Sequence, residues 1–256
     1  MDLRHLIFLI LFSLSTGVFL SFGFVREKEV GAKYYLIHGL IVFGTSLLSY
    51  LFLAKLELDS AFWFFIHLAC VLALSFAAGK KKALTRAAYF TGGIAGMGTI
   101  VMDITLKWPP ANQGTLMANT LMSMGVMGFS MAAMLLGHWY LTQPKMSIEE
   151  LKRVTLITIL LLGLRFFYGT YGFGVQIWGK PETEIYRYLF GGTGVFVLMR
   201  WVWGLLAAVI LSYFIWQTVK IRSTQSATGL LYILVLFVMT GEILSQYLAF
   251  FHGIVF

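Results

Sequence analysis

Long apolar runs separated by short polar connections cover almost the whole chain. A bilayer core about 30 Å thick requires about 20 apolar residues in each spanning helix. Eight runs reach this length, at residues 6–24, 34–54, 61–79, 87–106, 115–142, 154–177, 195–219 and 228–250. The prolines fall between the runs, where they do not interrupt a helix: Pro109, Pro110, Pro144 and Pro181. The pattern predicts an all-α polytopic membrane protein in which residues 1–256 form one bundle of about eight transmembrane helices.

Composition supports the same class. Hydrophobic residues make up 59% of the chain and charged residues 12%, and the mean hydropathy is +0.83. These values leave no room for a soluble domain. A net charge of +8 would suggest a nucleic-acid partner in a soluble protein, but here the basic residues lie in short connections between apolar runs, so no nucleic-acid partner is predicted. Cys70 is the single cysteine, which excludes an internal disulfide and a cysteine-ligated iron–sulfur cluster.

The basic residues also predict an orientation. The connections after the first, third, fifth and seventh runs hold 12 lysines and arginines, and the opposite side holds 5. Because basic connections stay on the cytoplasmic side, the richer side is predicted to be cytoplasmic. With an even number of spans, both termini then lie on the non-cytoplasmic side. The predicted location is the cytoplasmic (inner) membrane.

Two connections have features of their own. Ser147 and Glu150 have the spacing of a capping box, which predicts a helix start before the sixth apolar run. The segment from Pro181 to Gly191 and Gly192 predicts a short interfacial helix that begins at the proline and stops at the glycines. No repeat is visible between the first four and the last four runs, and no nucleotide-binding, protease or hydrolase motif is present.

The fifth run carries a stripe of possible ligands. Met124, Met127, Met131, Met134 and His138 follow one another by three or four residues, so all five lie on one face of a helix. Methionine fills irregular gaps in a core, which makes packing the simpler interpretation. Thioether and imidazole groups also suit Cu(I), so handling of a soft metal stays open.

Two histidines are matched in depth near the predicted cytoplasmic surface. His38 is the fifth residue of the second run, and His138 lies four residues before the end of the fifth, which places both about 6 Å inside the membrane. Each stands beside glycine and aromatic residues. Two neutral imidazoles across a glycine-lined gap can ligate a b-type haem, so the pair is predicted as the metal ligands of haem b. The alternative is that the two helices are not neighbours.

A second layer of ionisable groups lies near the opposite surface. His67, Asp103, Arg200 and Glu242 all fall within about 12 Å of it. Arg200 and Glu242 have opposite charges at similar depth, so an ion pair is predicted. The functional alternative is a quinone pocket in which His67 and Glu242 accept protons. Arg165, near the middle of the sixth run, requires a partner, an aqueous cavity or an anionic group.

These features predict a membrane subunit of a respiratory or photosynthetic electron-transfer complex that binds b-type haem, quinone or both between its helices. The connections are too short to hold a soluble redox domain, so other membrane or peripheral redox subunits would carry the donor or acceptor. Two alternatives stay open: a cofactor-free scaffold or anchor subunit of a larger complex, and a copper-handling membrane protein. If the chain belongs to an enzyme, it is as part of a membrane oxidoreductase complex.

Overall fold

The computed structural model describes residues 2–52, 58–143 and 146–255. Within these residues every predicted apolar run forms a helix, and no strand is present. Three features of the sequence predictions lie outside the described residues: the last two residues of the second run, 53–54; Pro144; and Lys55 and Lys145, which enter the charge count. The prediction of an all-α polytopic membrane protein is confirmed by the described helices.

In its described residues, the first half of the chain contains five α-helices. In order they are α1 Leu3–Ser21, α2 Glu27–Val30, α3 Ala32–Tyr50, α4 Leu58–Ala77 and α5 Lys82–Lys107. A 3₁₀ turn, Phe22–Phe24, continues α1. The short helix α2 lies in the connection between α1 and α3, so this half contributes four long helices.

The described part of the second half contains six α-helices and a π-helical segment. In order they are α6 Pro110–Thr142, α7 Glu149–Ile177, α8 Glu182–Phe190, α9 Gly194–Met199, the π segment Arg200–Ala207, α10 Ala208–Lys220 and α11 Thr224–His252. The elements α9, the π segment and α10 run on without a break and form one span. The helix α8 confirms the helix predicted after Pro181.

Seven of the described helices are long and apolar enough to cross a membrane. The remaining predicted span, α3, is not among these seven but has 19 residues, a length of about 28 Å. Its outer face is apolar, because Ile37, Leu40 and Leu47 are all more than 40% exposed. That length and outer face fit a helix in contact with lipid.

The eight long helices form two units with the same order of neighbours. In the first unit α1 packs on α3, α3 on α4, α4 on α5, and α5 back on α1. In the second unit α6, α7, the span from α9 to α10, and α11 repeat that circuit. The units meet where α1 crosses α6, with α1 also touching α11 and α6 touching α5. The structure therefore shows a repeat of helix arrangement that the sequence does not display.

Glycines set the crossing of α1 and α6. A Cβ atom on Gly17 would overlap the backbone of Met124 and Gly128, and one on Gly128 would overlap the backbone of Gly17. Small residues of this kind let two helix backbones approach closely in a membrane, where packing drives association. The contact between the units thus depends on the absence of a side chain at both positions.

A buried carboxylate joins the two units at the predicted cytoplasmic end. Glu150 accepts hydrogen bonds from the Arg26 backbone N–H at 2.8 Å and from Arg26 Nε at 2.6 Å. Arg153 Nη1 lies 3.0 Å from the same carboxylate and donates to Phe24 O at 3.2 Å. Glu150 also raises the pKa of Arg26 above its ordinary value by hydrogen bonding and charge attraction. The predicted capping box between Ser147 and Glu150 does not form, because the N-cap of α7 is Ile148 and Glu150 binds Arg26. The helix start predicted before the sixth apolar run is confirmed, since α7 begins at Glu149.

Candidate functional site

Three charged side chains from three spans meet inside the second unit. Arg165 lies on α7, Arg200 begins the π segment, and Glu242 lies on α11. Glu242 Oε2 is 2.9 Å from Arg165 Nη2, and Glu242 Oε1 is 2.9 Å from Arg200 Nη2. All three side chains are almost completely buried. The predicted ion pair between Arg200 and Glu242 is present, and the same carboxylate is the partner that Arg165 requires.

Neutral polar residues complete this cluster. Arg165 Nη2 donates to Asn119 Oδ1 and to Ser245 Oγ, both at 2.8 Å. Ser123 Oγ donates to Glu242 Oε2 at 2.5 Å. None of these three residues, Asn119, Ser123 and Ser245, was predicted from the sequence, although the first two lie one helical turn apart on α6. That spacing was the available signal, because residues i and i+4 share a helix face.

The cluster has a surplus of positive charge and of hydrogen-bond donors. Among the residues that the structure describes, two guanidinium groups face one carboxylate. Arg165 Nη1, Arg200 Nε, Arg200 Nη1 and Asn119 Nδ2 are buried without an acceptor. Arg200 Nη2 lies at ion-pair distance from Glu242 but is not aligned as a hydrogen-bond donor. Since buried donors are normally paired, these four atoms are donors that the described neighbours of the cluster leave unused.

The two guanidinium groups also define the role of Glu242. Opposite charges within about 4–6 Å favour the charged form of a carboxylate. Glu242 is therefore an anchor that holds Arg165 and Arg200 in place, which argues against its predicted role as a proton acceptor.

Backbone shape places Arg200 beside α11. A Cβ atom on Gly204 or on Gly241 would lie 2.9 Å from Arg200 Nη1, and the two glycines bring the π segment into close contact with α11. The segment Arg200–Ala207 has π-helical hydrogen bonding, a geometry that occurs most often as single turns at functional sites. The Arg200 side chain thus fills the space that the missing side chains of Gly204 and Gly241 leave free.

Aromatic residues directly follow both arginines in the sequence, Phe166 after Arg165 and Trp201 after Arg200. The Trp201 ring is 6.2 Å from Phe166 and 6.2 Å from Phe173, measured between ring centroids. Trp201 Nε1 is buried without an acceptor, although a buried indole N–H usually has one. Trp201 therefore adds another unused donor, one position along the chain from Arg200.

His67 lies apart from the cluster, in the first unit. Its Nδ1 is 2.8 Å from Gly92 O on α5. Phe12 and Phe19 of α1 meet its ring edge-on, each with centroids 5.3 Å away. His67 is therefore packed between α1, α4 and α5, and the structure does not place it with Glu242 as the quinone-pocket prediction required.

Asp103 forms a separate group near the outer end of α5. Its carboxylate lies 2.7 Å from His5 Nε2 and 2.6 Å from Lys107 Nζ. The layer predicted from depth alone is thus divided into three sites. Depth can be read from position in a run, but the direction of each side chain around its helix decides which residues meet.

His38 and His138 face different neighbours. His38 Nδ1 is 2.8 Å from Tyr34 O, and its ring packs against Tyr34 and Trp139 at centroid distances of 4.1 and 5.7 Å. The His138 side chain is exposed, and its Nδ1 is 3.4 Å from the Tyr232 hydroxyl on α11. Trp139, the next residue after His138, lies between the two histidines in the sequence of contacts, because its ring packs against His38. A shared haem iron would require both rings to face it, so this arrangement does not fit haem b.

The methionine stripe lies mainly in the packed interior. Met124 and Met127 are buried, and Met131 and Met134 are partly buried against the same hydrophobic core. His138, at the end of the stripe, is exposed. In the described part of the chain no group of three or more histidine, cysteine, aspartate or glutamate residues is arranged to hold a metal ion. These positions favour packing over metal handling.

Comparison of the chain with protein-family models, curated proteins and solved structures finds no match. The proposed function therefore rests on the buried cluster itself.

Proposed function

We propose that the protein is a cytoplasmic-membrane subunit of an electron-transfer complex and binds a quinone at the cluster of Arg165, Arg200 and Glu242. The observation that supports this is the set of buried donors without acceptors on Arg165, Arg200 and Asn119. A quinone offers two carbonyl oxygens, which only accept hydrogen bonds. It is also soluble in lipid, so it is available to a membrane-spanning protein from the bilayer.

In this proposal the chain binds and orients the ring. Arg200 Nε and Nη1 and Arg165 Nη1 donate to the carbonyl oxygens, and Trp201 with its aromatic neighbours packs against the ring. Glu242 keeps both guanidinium groups in position. A quinone accepts electrons, and the surplus positive charge of the cluster would favour electron uptake because it stabilises added negative charge. Partner subunits would supply or remove the electrons.

The experiment is quinone binding by the purified full chain in detergent. Titration with a short-chain quinone, followed by tryptophan fluorescence, should saturate. Arg200→Lys keeps the charge beside Glu242 but removes the guanidinium donors, so we expect binding at least about tenfold weaker, the loss of a charged hydrogen bond. The matched control, Arg153→Lys in the cytoplasmic contact with Glu150, should bind quinone normally.

A second variant covers the case in which Arg200→Lys does not fold. Trp201→Phe keeps an aromatic ring and removes the Nε1 donor, so quinone binding should weaken in a folded protein; because this variant also removes a fluorophore, binding is followed by calorimetry. Quinone binding that does not saturate in the wild type, or that neither variant alters, would overturn the proposal.

The second candidate is a cofactor-free scaffold or anchor subunit. It is favoured by the position of the charged clusters, which tie spans of this chain to one another. In that case variants of the cluster would change stability, and no quinone or haem would be bound. A reduced-minus-oxidised spectrum of the purified protein tests the haem b prediction for His38 and His138 separately.

A further inference from the structure

A groove with two parts opens at the predicted cytoplasmic end of the first unit. Its outer part has a volume of about 610 Å³ and its inner part about 250 Å³. Glu27, Thr85 and Arg86 line both parts, so the two adjoin each other. The groove is separate from the buried cluster, so a ligand bound here would be independent of the proposed quinone.

The outer part is strongly basic. Arg26, Lys28, Lys82 and Arg86 line it, with Glu27 as the single acidic residue. Arg26 is already paired with Glu150. Lys28, Lys82 and Arg86 have no carboxylate at ion-pair distance among the described residues. Three cations are therefore available to an anion at the membrane surface.

The inner part is apolar and aromatic. Phe22, Tyr35, Leu74, Tyr89 and Phe90 line it. The hydroxyl groups of the two tyrosines are used internally, since Tyr35 donates to backbone carbonyls and Tyr89 donates to Leu20 O at 2.8 Å. The inner part thus presents ring surfaces and offers little to a polar ligand.

The helix α5 lines both the basic outer part and the apolar inner part of the groove. On α5, Lys82 and Arg86 line the basic part, while Tyr89 and Phe90 line the apolar part. Lys82 and Phe90 are eight residues apart, about 12 Å along the helix axis. Phe90 is 65% exposed on the outer surface of the bundle. The groove therefore changes from charged to apolar over the depth at which a phospholipid changes from head group to acyl chain.

We infer that this groove binds an anionic phospholipid, with its phosphate at Lys28, Lys82 and Arg86 and one acyl chain in the inner part. Charge complementarity selects an anionic head group over a zwitterionic one, because each basic residue near the surface attracts anionic lipid. The apolar inner part selects a lipid over a free phosphate, which has no group to place there.

The experiment measures lipid binding to the purified full chain by native mass spectrometry. Phosphatidylglycerol should bind at least about tenfold more tightly than phosphatidylcholine. Arg86→Gln and Lys82→Gln should each weaken phosphatidylglycerol binding about fivefold, the effect of one basic residue near the surface. The control is Lys33→Gln, an exposed basic residue on the same side that does not line the groove, and it should have no effect.

A blocking variant tests whether an acyl chain occupies the inner part of the groove. Thr85→Phe keeps every cation but places a ring where the two parts join, so phosphatidylglycerol binding should fall at least about as far as in Arg86→Gln. Millimolar inorganic phosphate should not displace the lipid. Equal binding of the two lipids, wild-type binding by Thr85→Phe, displacement by phosphate, or an equal loss in Lys33→Gln would each overturn the inference. Size-exclusion chromatography checks that each variant is folded.

Discussion

At the scale of single residues, the balance of charge around Glu242 determines how the cluster responds to substitution. Glu242→Gln removes the only carboxylate at ion-pair distance from Arg165 and Arg200 among the described residues. Two buried guanidinium groups would then lose their counter-ion, and we expect a loss of about 3–5 kcal/mol in the free energy of unfolding. Unfolding of the full chain in detergent, followed by circular dichroism with increasing denaturant, measures the loss.

The control for Glu242→Gln is Glu149→Gln. Glu149 is exposed and pairs with Lys152 at 3.0 Å, so its loss should change stability by less than about 1 kcal/mol. Combining Glu242→Gln with Arg200→Gln should recover part of the stability by removing one unpaired charge. Wild-type stability in Glu242→Gln would show that the cluster does not depend on this carboxylate.

Exchange of Arg200 and Glu242 would restore the pair if the two residues interacted only with each other. The structure changes that expectation, because Arg165 also binds Glu242. The exchange would place a second guanidinium beside Arg165, and the repulsion of like charges would oppose any recovery. Because Glu242 binds both arginines, the exchange should recover less stability than it would for an isolated pair of Arg200 and Glu242.

The site was only partly predictable from the sequence. Arg165, Arg200 and Glu242 were identified because an ionisable group in a spanning helix is costly and needs a partner. Asn119, Ser123 and Ser245 were missed because small neutral polar residues are common in membrane helices and carry no such signal. His67 and His38 were identified by depth, but their partners, Gly92 O and Tyr34 O, are backbone atoms that depth does not indicate.

At the scale of secondary-structure elements, the contact between α1 and α6 gives a sharp prediction. Gly17→Ala and Gly128→Ala should each lower the free energy of unfolding by about 1–3 kcal/mol, because the added methyl group would force two helix backbones apart. The matched control is Gly163→Ala on α7, where a Cβ atom has no neighbour within 4 Å.

The control should change stability in the opposite direction. An alanine in a helix interior is more stable than a glycine by about 0.5–1 kcal/mol, so Gly163→Ala should be neutral or stabilising. Denaturant unfolding of the three variants under one set of conditions gives the comparison. Equal stability of Gly17→Ala and Gly163→Ala would contradict the close contact between α1 and α6.

The apolar runs predicted the existence of the long helices better than their ends. The helices α5, α6 and α7 each begin five residues before the predicted run. A helix continues for as long as its backbone hydrogen bonds form, whereas an apolar run ends where side chains meet water. The π segment at Arg200 was not predicted. It lies where Gly204 and Gly241 bring two helix backbones together, and such a contact leaves no periodic pattern of apolar residues in the sequence.

At the scale of the whole molecule, the two units share an arrangement without sharing a visible sequence pattern. The order in which helices pack on one another follows from short connections and from the position of small residues. Many different sequences can provide both features. Gly17 on α1 and Gly128 on α6 have matching roles at the crossing. The charged clusters differ, since the second unit holds Arg165, Arg200 and Glu242 and the first holds His67 and Asp103 at separate places. The arrangement repeats, and the chemistry does not.

The arrangement of two units also sharpens the prediction of orientation. With four spans in each unit, the start of α1, the connection between α5 and α6, and the end of α11 are predicted to lie on one side of the membrane. The basic connections, including Lys80, Lys81 and Lys82, lie on the other side, which we expect to be cytoplasmic. Reporter fusions within the connection that holds these three lysines should therefore read cytoplasmic, and fusions after Pro109 and after Phe256 should both read exported. A tag before Leu3 that reads cytoplasmic, together with an exported reading after Pro109, would mean that the first unit has an odd number of spans, and would show that α3 does not cross the membrane.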